Sequence, residues 1–293
     1  VEQVWVASPN PAPATLAAAH LAGVDGFICV GGAQAIAAMA YGVGPIPAAD
    51  VIVGPGNRWV TAAKKLVSGR VGIDMLAGPS ECLVLADETA DPAVIAADLL
   101  AQAEHDTDAR PILVTTDATA VGRVNAEIAK QLASLPTAAT ARVAVERAGF
   151  AVVCPDDLDE AIRVVDRIAP EHLEVMTSDP AGDAKKCRNY GGLFVGVQSA
   201  EVMGDYGAGP NHVLPTGGTG RYTGGLSVFT FLAIRTWMEL DPTTERNAKG
   251  LAEVVEDAVT VARVEGLEGH ARAAELRLSG CAGSGGGRWG GVW

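Results

Sequence analysis

Short apolar runs alternate with Ala-rich helical stretches over the first eighty residues, and this alternation constrains the fold more than any other feature of the chain. Val4–Ala7, Gly26–Val30 and Val51–Val53 read as strands, with helices over Ala14–Ala22, Gln34–Tyr41 and Arg58–Val67 between and after them. Strands joined by helices of this length form right-handed βαβ units with a parallel sheet. Two of the strand-to-helix turns are glycine-rich, Val30-Gly-Gly-Ala-Gln34 and Val53-Gly-Pro-Gly-Asn57. Such turns bring backbone N–H groups and a helix N-terminus within reach of a phosphate or cofactor, although short βα turns also need glycine for geometry alone.

The alternation continues with a strand over Cys82–Ala86 and a helix from Pro92 to about His105, where Asp91 can cap and Pro92 fits the first helical position. A strand over Ile112–Thr115, a helix over Ala118–Leu135, a strand at Val143–Val145 or Ala151–Val153, a helix over Leu158–Ile168 and a strand over Gly191–Val197 complete the α/β part. Residues 204–225 are turn-rich and hold eight glycines; beyond them Phe229–Leu240, Thr243–Glu265 and Gly266–Leu278 read as helices. There is no internal repeat. The shift near Gly225 from α/β to helical marks a domain boundary.

Composition removes several classes of function. With 22 Lys and Arg against 35 Asp and Glu, the net charge is −13, and no basic cluster interrupts it, so nucleic acid is excluded as a partner. A 48% hydrophobic content and a mean hydropathy of +0.21 indicate a folded globular chain. Gly26–Ala49 is uncharged and long enough to span a bilayer, but Gly31, Gly32, Gln34, Pro45 and Pro47 interrupt it, so no membrane span is expected. Five cysteines (Cys29, Cys82, Cys154, Cys187, Cys281) without a CxxC pair read as reduced cytosolic thiols, the first three packed in apolar strand-like runs. A cytoplasmic protein is expected.

Four stretches carry polar groups suited to chemistry. On the helix after Pro92, Asp98, Gln102 and His105 form a stripe at i, i+4 and i+7, which is either a solvated face or a set of converging ligands. Glu171-His172 follows Ala169-Pro170, as an acid–base pair on a rigid turn or as the start of a helix. Asp205 and His212 lie in the glycine-rich segment, as metal or substrate ligands or as parts of a turn. Glu265 and His270 converge only if a helix breaks near Gly266. His20 has no polar company and reads as structural or surface. Two His, one Asp and one Gln suit zinc, but are too dispersed for a zinc finger.

Seven strings in fixed order make the set specific: Gly-Gly-Ala-Gln-Ala-Ile-Ala-Ala (31–38), Gly-Pro-Gly-Asn (54–57), Asp-Met-Leu-Ala-Gly-Pro-Ser-Glu (74–81), Gln-Ala-Glu-His (102–105), Ala-Pro-Glu-His-Leu (169–173), Gly-Asp-Tyr-Gly-Ala-Gly-Pro-Asn-His-Val-Leu-Pro-Thr (204–216) and Glu-Gly-Leu-x-x-His (265–270). The chain closely resembles histidinol dehydrogenase over about Val1 to Leu278. The resemblance implies a zinc- and NAD-dependent enzyme that oxidises L-histidinol through histidinal to L-histidine, reducing two NAD. It implies zinc ligands Gln102, His105, Asp205 and His270, with histidinol nitrogens completing the coordination. His172 is then the general base and Glu171 activates water. Ser80, His212 and Glu265 join these ligands and His172 as substrate contacts, and Gln34 and Asn57 contact the cofactor. A homodimer with shared sites is also implied.

The implied architecture is an incomplete Rossmann-like α/β cofactor domain (1–81), a partial α/β catalytic domain (82–225), a helical domain (226–278) and a disordered Gly/Trp tail (279–293). Family members carry a substantial region before the position of Val1, so a truncated chain is expected. The alternative to the dehydrogenase is an inactive remnant that retains zinc or partner binding. A further alternative, an aldehyde dehydrogenase with a catalytic cysteine, conflicts with the buried contexts of the cysteines.

Overall fold

The computed structural model describes residues 1–241 and 243–279. β1 (Trp5–Ala7), α1 (Pro13–Ala22) and β2 (Gly26–Ile28) form a first βαβ motif in which β1 and β2 pair in parallel. α2 (Gly32–Tyr41) leads to a second, β3 (Val51–Ile52), α3 (Arg58–Val67) and β4 (Gly72–Ile73), again parallel. α1 starts at Pro13, whose missing N–H costs a first turn nothing, and stops at Gly23, which takes the left-handed conformation. Ile36, Ala40, Ile52, Ala63, Val67 and Val71 form the small core of this region.

A five-stranded parallel sheet follows. It is built from β5 (Glu81–Ala86), α4 (Pro92–Ala103), β6 (Arg110–Thr115), α5 (Ala120–Leu132), α6 (Ala138–Ala148), β7 (Phe150–Val153), α7 (Leu158–Ile168), β8 (His172–Met176), α8 (Pro180–Ala184) and β9 (Gly192–Val195), then α9 (Glu201–Asp205). The strand order is β7-β6-β5-β8-β9, so β5 and β8 are central and every residue of both is buried. Side chains alternate across them. Cys82, Val84, Ala86 and Met176 join the core made with α4, α5 and α6, while Leu83, Leu85, Leu173 and Val175 join the core made with α7. That parity sends His172 and Glu174 toward the α4 side, where an apolar face would ordinarily have apolar residues.

The chain divides into two compact units, 1–232 and 233–293. In the second, α10 (Glu245–Val264) and α11 (Glu268–Ser279) pack on one another, and Gly266, with φ 76°, breaks the helix between them. No helix among the described residues is long and apolar enough to cross a membrane.

Several expectations are corrected. Glu171-His172 does not start a helix: Glu171 is a bend and His172 opens the central strand β8. Val143–Val145 lies inside α6, and Phe150–Val153 is the strand. Phe229–Leu240 is not helical: a 3-10 turn over Val228–Phe231 gives way to irregular backbone in which Ile234, Trp237 and Met238 are exposed. The expected break near Gly266 is present, by contrast: Glu265 closes α10 and His270 lies in the first turn of α11. Cys29 is exposed, not packed in a strand. Cys281 and nearly all of the 279–293 tail lie outside the described residues.

Candidate functional site

β5 and β8 are hydrogen-bonded neighbours and begin together, with Cys82 paired with His172. Their first residues build the acid–base part of the site. The Glu81 N–H donates to Glu171 Oε2 at 2.9 Å, and the Glu81 carbonyl meets His172 Nδ1 at 3.0 Å. A carbonyl can only accept, so Nδ1 carries the proton and Nε2 keeps its lone pair. Burial pulls the His172 imidazole down to about 4, against the opposing pull of that carbonyl, so it is neutral at neutral pH. Burial pushes the neighbouring Glu171 carboxyl up to about 8, although the Glu81 N–H and the Ser80 side chain bond to it.

The entry to this pair is strained. Ala169, fully buried, holds a left-handed backbone with φ 50° at the end of α7, a conformation that costs an L-residue about 1–2 kcal/mol. Hydrogen bonds tie the surrounding loops down. Gly78 N–H donates to Thr216 Oγ1 at 2.6 Å and Gly217 N–H to Glu81 Oε2 at 3.3 Å, joining the 74–81 and 204–216 strings. Arg110 pairs with Glu81 Oε1 at 2.9 Å.

α4 runs back along the sheet, so its carboxyl end lies by the amino ends of β5 and β8. There Gln102 ends the buried stripe and His105, exposed, follows the helix, with its N–H bonded to the Gln102 carbonyl at 3.3 Å. His105, Glu201 and Asp205 present ligand atoms that all lie within 4.8 Å of one another. Gln102 is fully buried, yet neither its Oε1 nor its Nε2 has a hydrogen-bond partner. Leaving such an amide unsatisfied costs about 1–3 kcal/mol, which a ligated cation would offset at the oxygen. The carboxyls are crowded too. Burial, then the charges of Asp205 and Glu171, push Glu201 up to about 8. Burial, then Asp98, push Glu174 to about 8. The imidazole and two carboxylates of this cluster fit a divalent cation such as zinc, and Gln102, one turn before His105, has an amide oxygen in want of a partner.

A cleft of about 710 Å³ opens beside this cluster, lined by His172, Phe194, Met203, Asp205 and His212 among others. It is of the size that takes a small molecule. His212 is exposed, and Ser80 lies half-buried against Glu171. The structure therefore brings Ser80, His105, Glu171, His172, Asp205 and His212 into one region of the first unit, with Gln102 a turn from His105. Glu265 and His270 are exposed in the second unit. No sequence motif singles out Glu201, although it stands four residues before Asp205, on the same face of α9.

The two glycine-rich turns differ. α2 follows Gly31, which has no side chain to cap it, leaving first-turn N–H groups for an anionic ligand, and Gln34 is exposed in that turn. In α3, Asn57 Oδ1 caps the helix by accepting from Trp59 N–H at 3.0 Å and Val60 N–H at 3.2 Å, so Asn57 has a structural task as well. The buried thiols are unsuited to nucleophilic work: burial pushes Cys82 and Cys154 up, and Cys187 to about 11.

A family model described as histidinol dehydrogenase matches residues 1–278. The histidinol dehydrogenase of Thermus thermophilus is 49% identical over 278 residues, which is 94% of this chain and 66% of that protein. The one from Lactiplantibacillus plantarum is 49% identical over 266 residues, 91% of this chain and 60% of that protein. The crystal structure of histidinol dehydrogenase from Elizabethkingia anophelis aligns with a TM-score of 0.85 at 37% identity, covering 94% of this chain and 62% of that one. The chain thus spans less than two thirds of the length of these relatives.

Proposed function

Because the chain belongs to the histidinol dehydrogenase family, we propose that it serves the zinc-dependent, NAD-linked oxidation of L-histidinol through histidinal to L-histidine. The observation that carries this reading is the tautomer of His172: the Glu81 carbonyl holds Nδ1–H, and the free Nε2 is a neutral base beside the cleft. Nε2 takes the hydroxyl proton of the alcohol as hydride departs. Glu171, once ionised, takes a proton from the water that adds to the aldehyde. His172 then takes the hydroxyl proton of the hydrate in the second oxidation.

Gln102, His105 and Asp205 would hold zinc, with Glu201 close enough to join them and His270 assigned to the same set. Zinc held there would bind the substrate's amine and imidazole nitrogens and so orient it. NAD supplies the hydride acceptor, and the uncapped start of α2 with Gln34, and the α3 turn with Asn57, are its assigned contacts. Ser80, His212 and Glu265 are assigned to the substrate. A cytoplasmic homodimer with shared sites completes the reading.

A second reading is a chain that binds zinc without oxidising histidinol, for which the cluster of His105, Glu201 and Asp205 would suffice by itself. Measuring NADH formed per L-histidinol separates the two. Two NADH per substrate, lost on chelation, support the dehydrogenase. A folded, zinc-loaded chain that forms none overturns it in favour of the second reading.

A further inference from the structure

Glu174 takes no part in the steps above, yet it is 1% exposed in the central strand, where an isolated carboxylate is costly. The alternation of β8 puts it on the same face as His172. Its neighbour is Asp98 of α4, one turn before Gln102. Its Oε1 accepts the Glu201 N–H at 2.7 Å, reaching across 27 positions to the first residue of α9.

α9 has little of its own to fix its backbone. It is five residues long and follows Ala200, which has no side chain to cap it. At its far end Gly204 lies against Phe194, where a Cβ would sit 2.9 Å from Cε1. These two contacts hold the backbone of the helix at its two ends, while the Glu201 side chain meets Cys82 and His172, and the helix carries both Glu201 and Asp205.

We propose that Glu174 is a positioning residue for the metal centre: by accepting the Glu201 N–H, its carboxyl oxygen holds α9 where Glu201 and Asp205 meet His105, and so sets divalent-metal affinity. This rests on reading the cluster as a metal site. What matters is the reach of the oxygen, not its charge. E174Q keeps an oxygen at the same distance without an ionisable carboxyl, whereas E174D keeps the carboxyl and withdraws it by one methylene. G204A displaces α9 from its other side.

The test is Zn2+ affinity of the full chain by chelator competition, together with hydrogen–deuterium exchange of residues 200–206 without metal. Loss of a residue that orients a ligand weakens metal binding by about 10–100-fold. E174D and G204A are expected to fall in that range and to exchange faster over 200–206, with E174Q close to the wild type in both. If E174D and G204A bind and exchange like the wild type, or E174Q is the weaker of the two Glu174 variants, the proposal is overturned. A wild-type chain that binds no Zn2+ overturns the metal reading itself, and the exchange pattern alone then decides whether Glu174 positions α9.

Discussion

Removing one member of the Lys64–Asp74 pair should destabilise the first unit more than any surface change. Lys64 on α3 and Asp74 after β4 meet at 2.7 Å with side chains 5% and 1% exposed. Lys64 Nζ also donates to the Gly54 carbonyl, while Asp74 accepts from Gly54 N–H at 2.7 Å and Met75 N–H at 2.7 Å. The pair therefore clamps both polar groups of Gly54, the first residue of the turn assigned to the cofactor. Lys64→Met leaves a buried carboxylate without its cation, which costs about 3–5 kcal/mol. At about 2–4 °C per kcal/mol for a unit of this size, the midpoint should fall by about 6–20 °C. Asp74→Ala strands the ammonium and two N–H groups, and should cost at least as much. The double variant should cost about 3 kcal/mol less than the sum, because the second change removes a charge the first left alone. Urea and thermal unfolding followed by circular dichroism measure all three. A loss below about 1 kcal/mol for Lys64→Met, or strict additivity, would refute the clamp.

Four further outcomes are expected. His172→Asn should lower both oxidations by about 10²–10⁴-fold, measured as the rates from histidinol and from histidinal. Glu171→Gln should impair chiefly the aldehyde step, and equal losses in the two half-reactions would remove its water-activating role. His270→Asn should lower the zinc retained after dialysis, and an unchanged metal content would exclude it from the ligand set. Burial raises the Asp87 carboxyl, but hydrogen bonds from Thr89 and Ser178 outweigh it and hold the group below its ordinary range. Its contribution is therefore full above the ordinary aspartate value of about 3.9 and is lost as pH falls through the lower folded value. Asp87→Asn should flatten the acid limb of the stability curve, and an unaltered limb would show that Asp87 does not shape it.

Element type was legible wherever a single periodicity ruled. α3 and α7 have the bounds expected of them, and the Asp91–Pro92 start of α4 is as read. α6 was missed because its buried positions are Ala141 and Ala144, too small to leave a hydrophobic stripe, while Val143 and Val145 alternate like a strand. The opposite error fell on Phe229–Leu240, where apolar content suggested a helix. Ile234 is fully exposed, and an apolar run without a face to bury it gains little from helix formation.

The site was legible by residue type but not by place. Ligands bind at the carboxyl edge of an open parallel sheet by the usual rule, yet here Glu81 and His172 open β5 and β8, and α4 delivers Gln102 and His105 to that same amino edge. The period-two pattern of His172-Leu-Glu-Val-Met176 encodes the reason. Two polar residues on the α4 face of a central strand require polar company across it, and α4 supplies Asp98 against Glu174, with Gln102 one turn further on. Each half of that pattern is visible in the sequence. That the two halves oppose one another depends on β8 pairing beside β5 rather than beside β7, which no local spacing specifies. Glu201 belongs to the same problem, because its nearness to His105 follows from β9 pairing with β8 and turning back through α9.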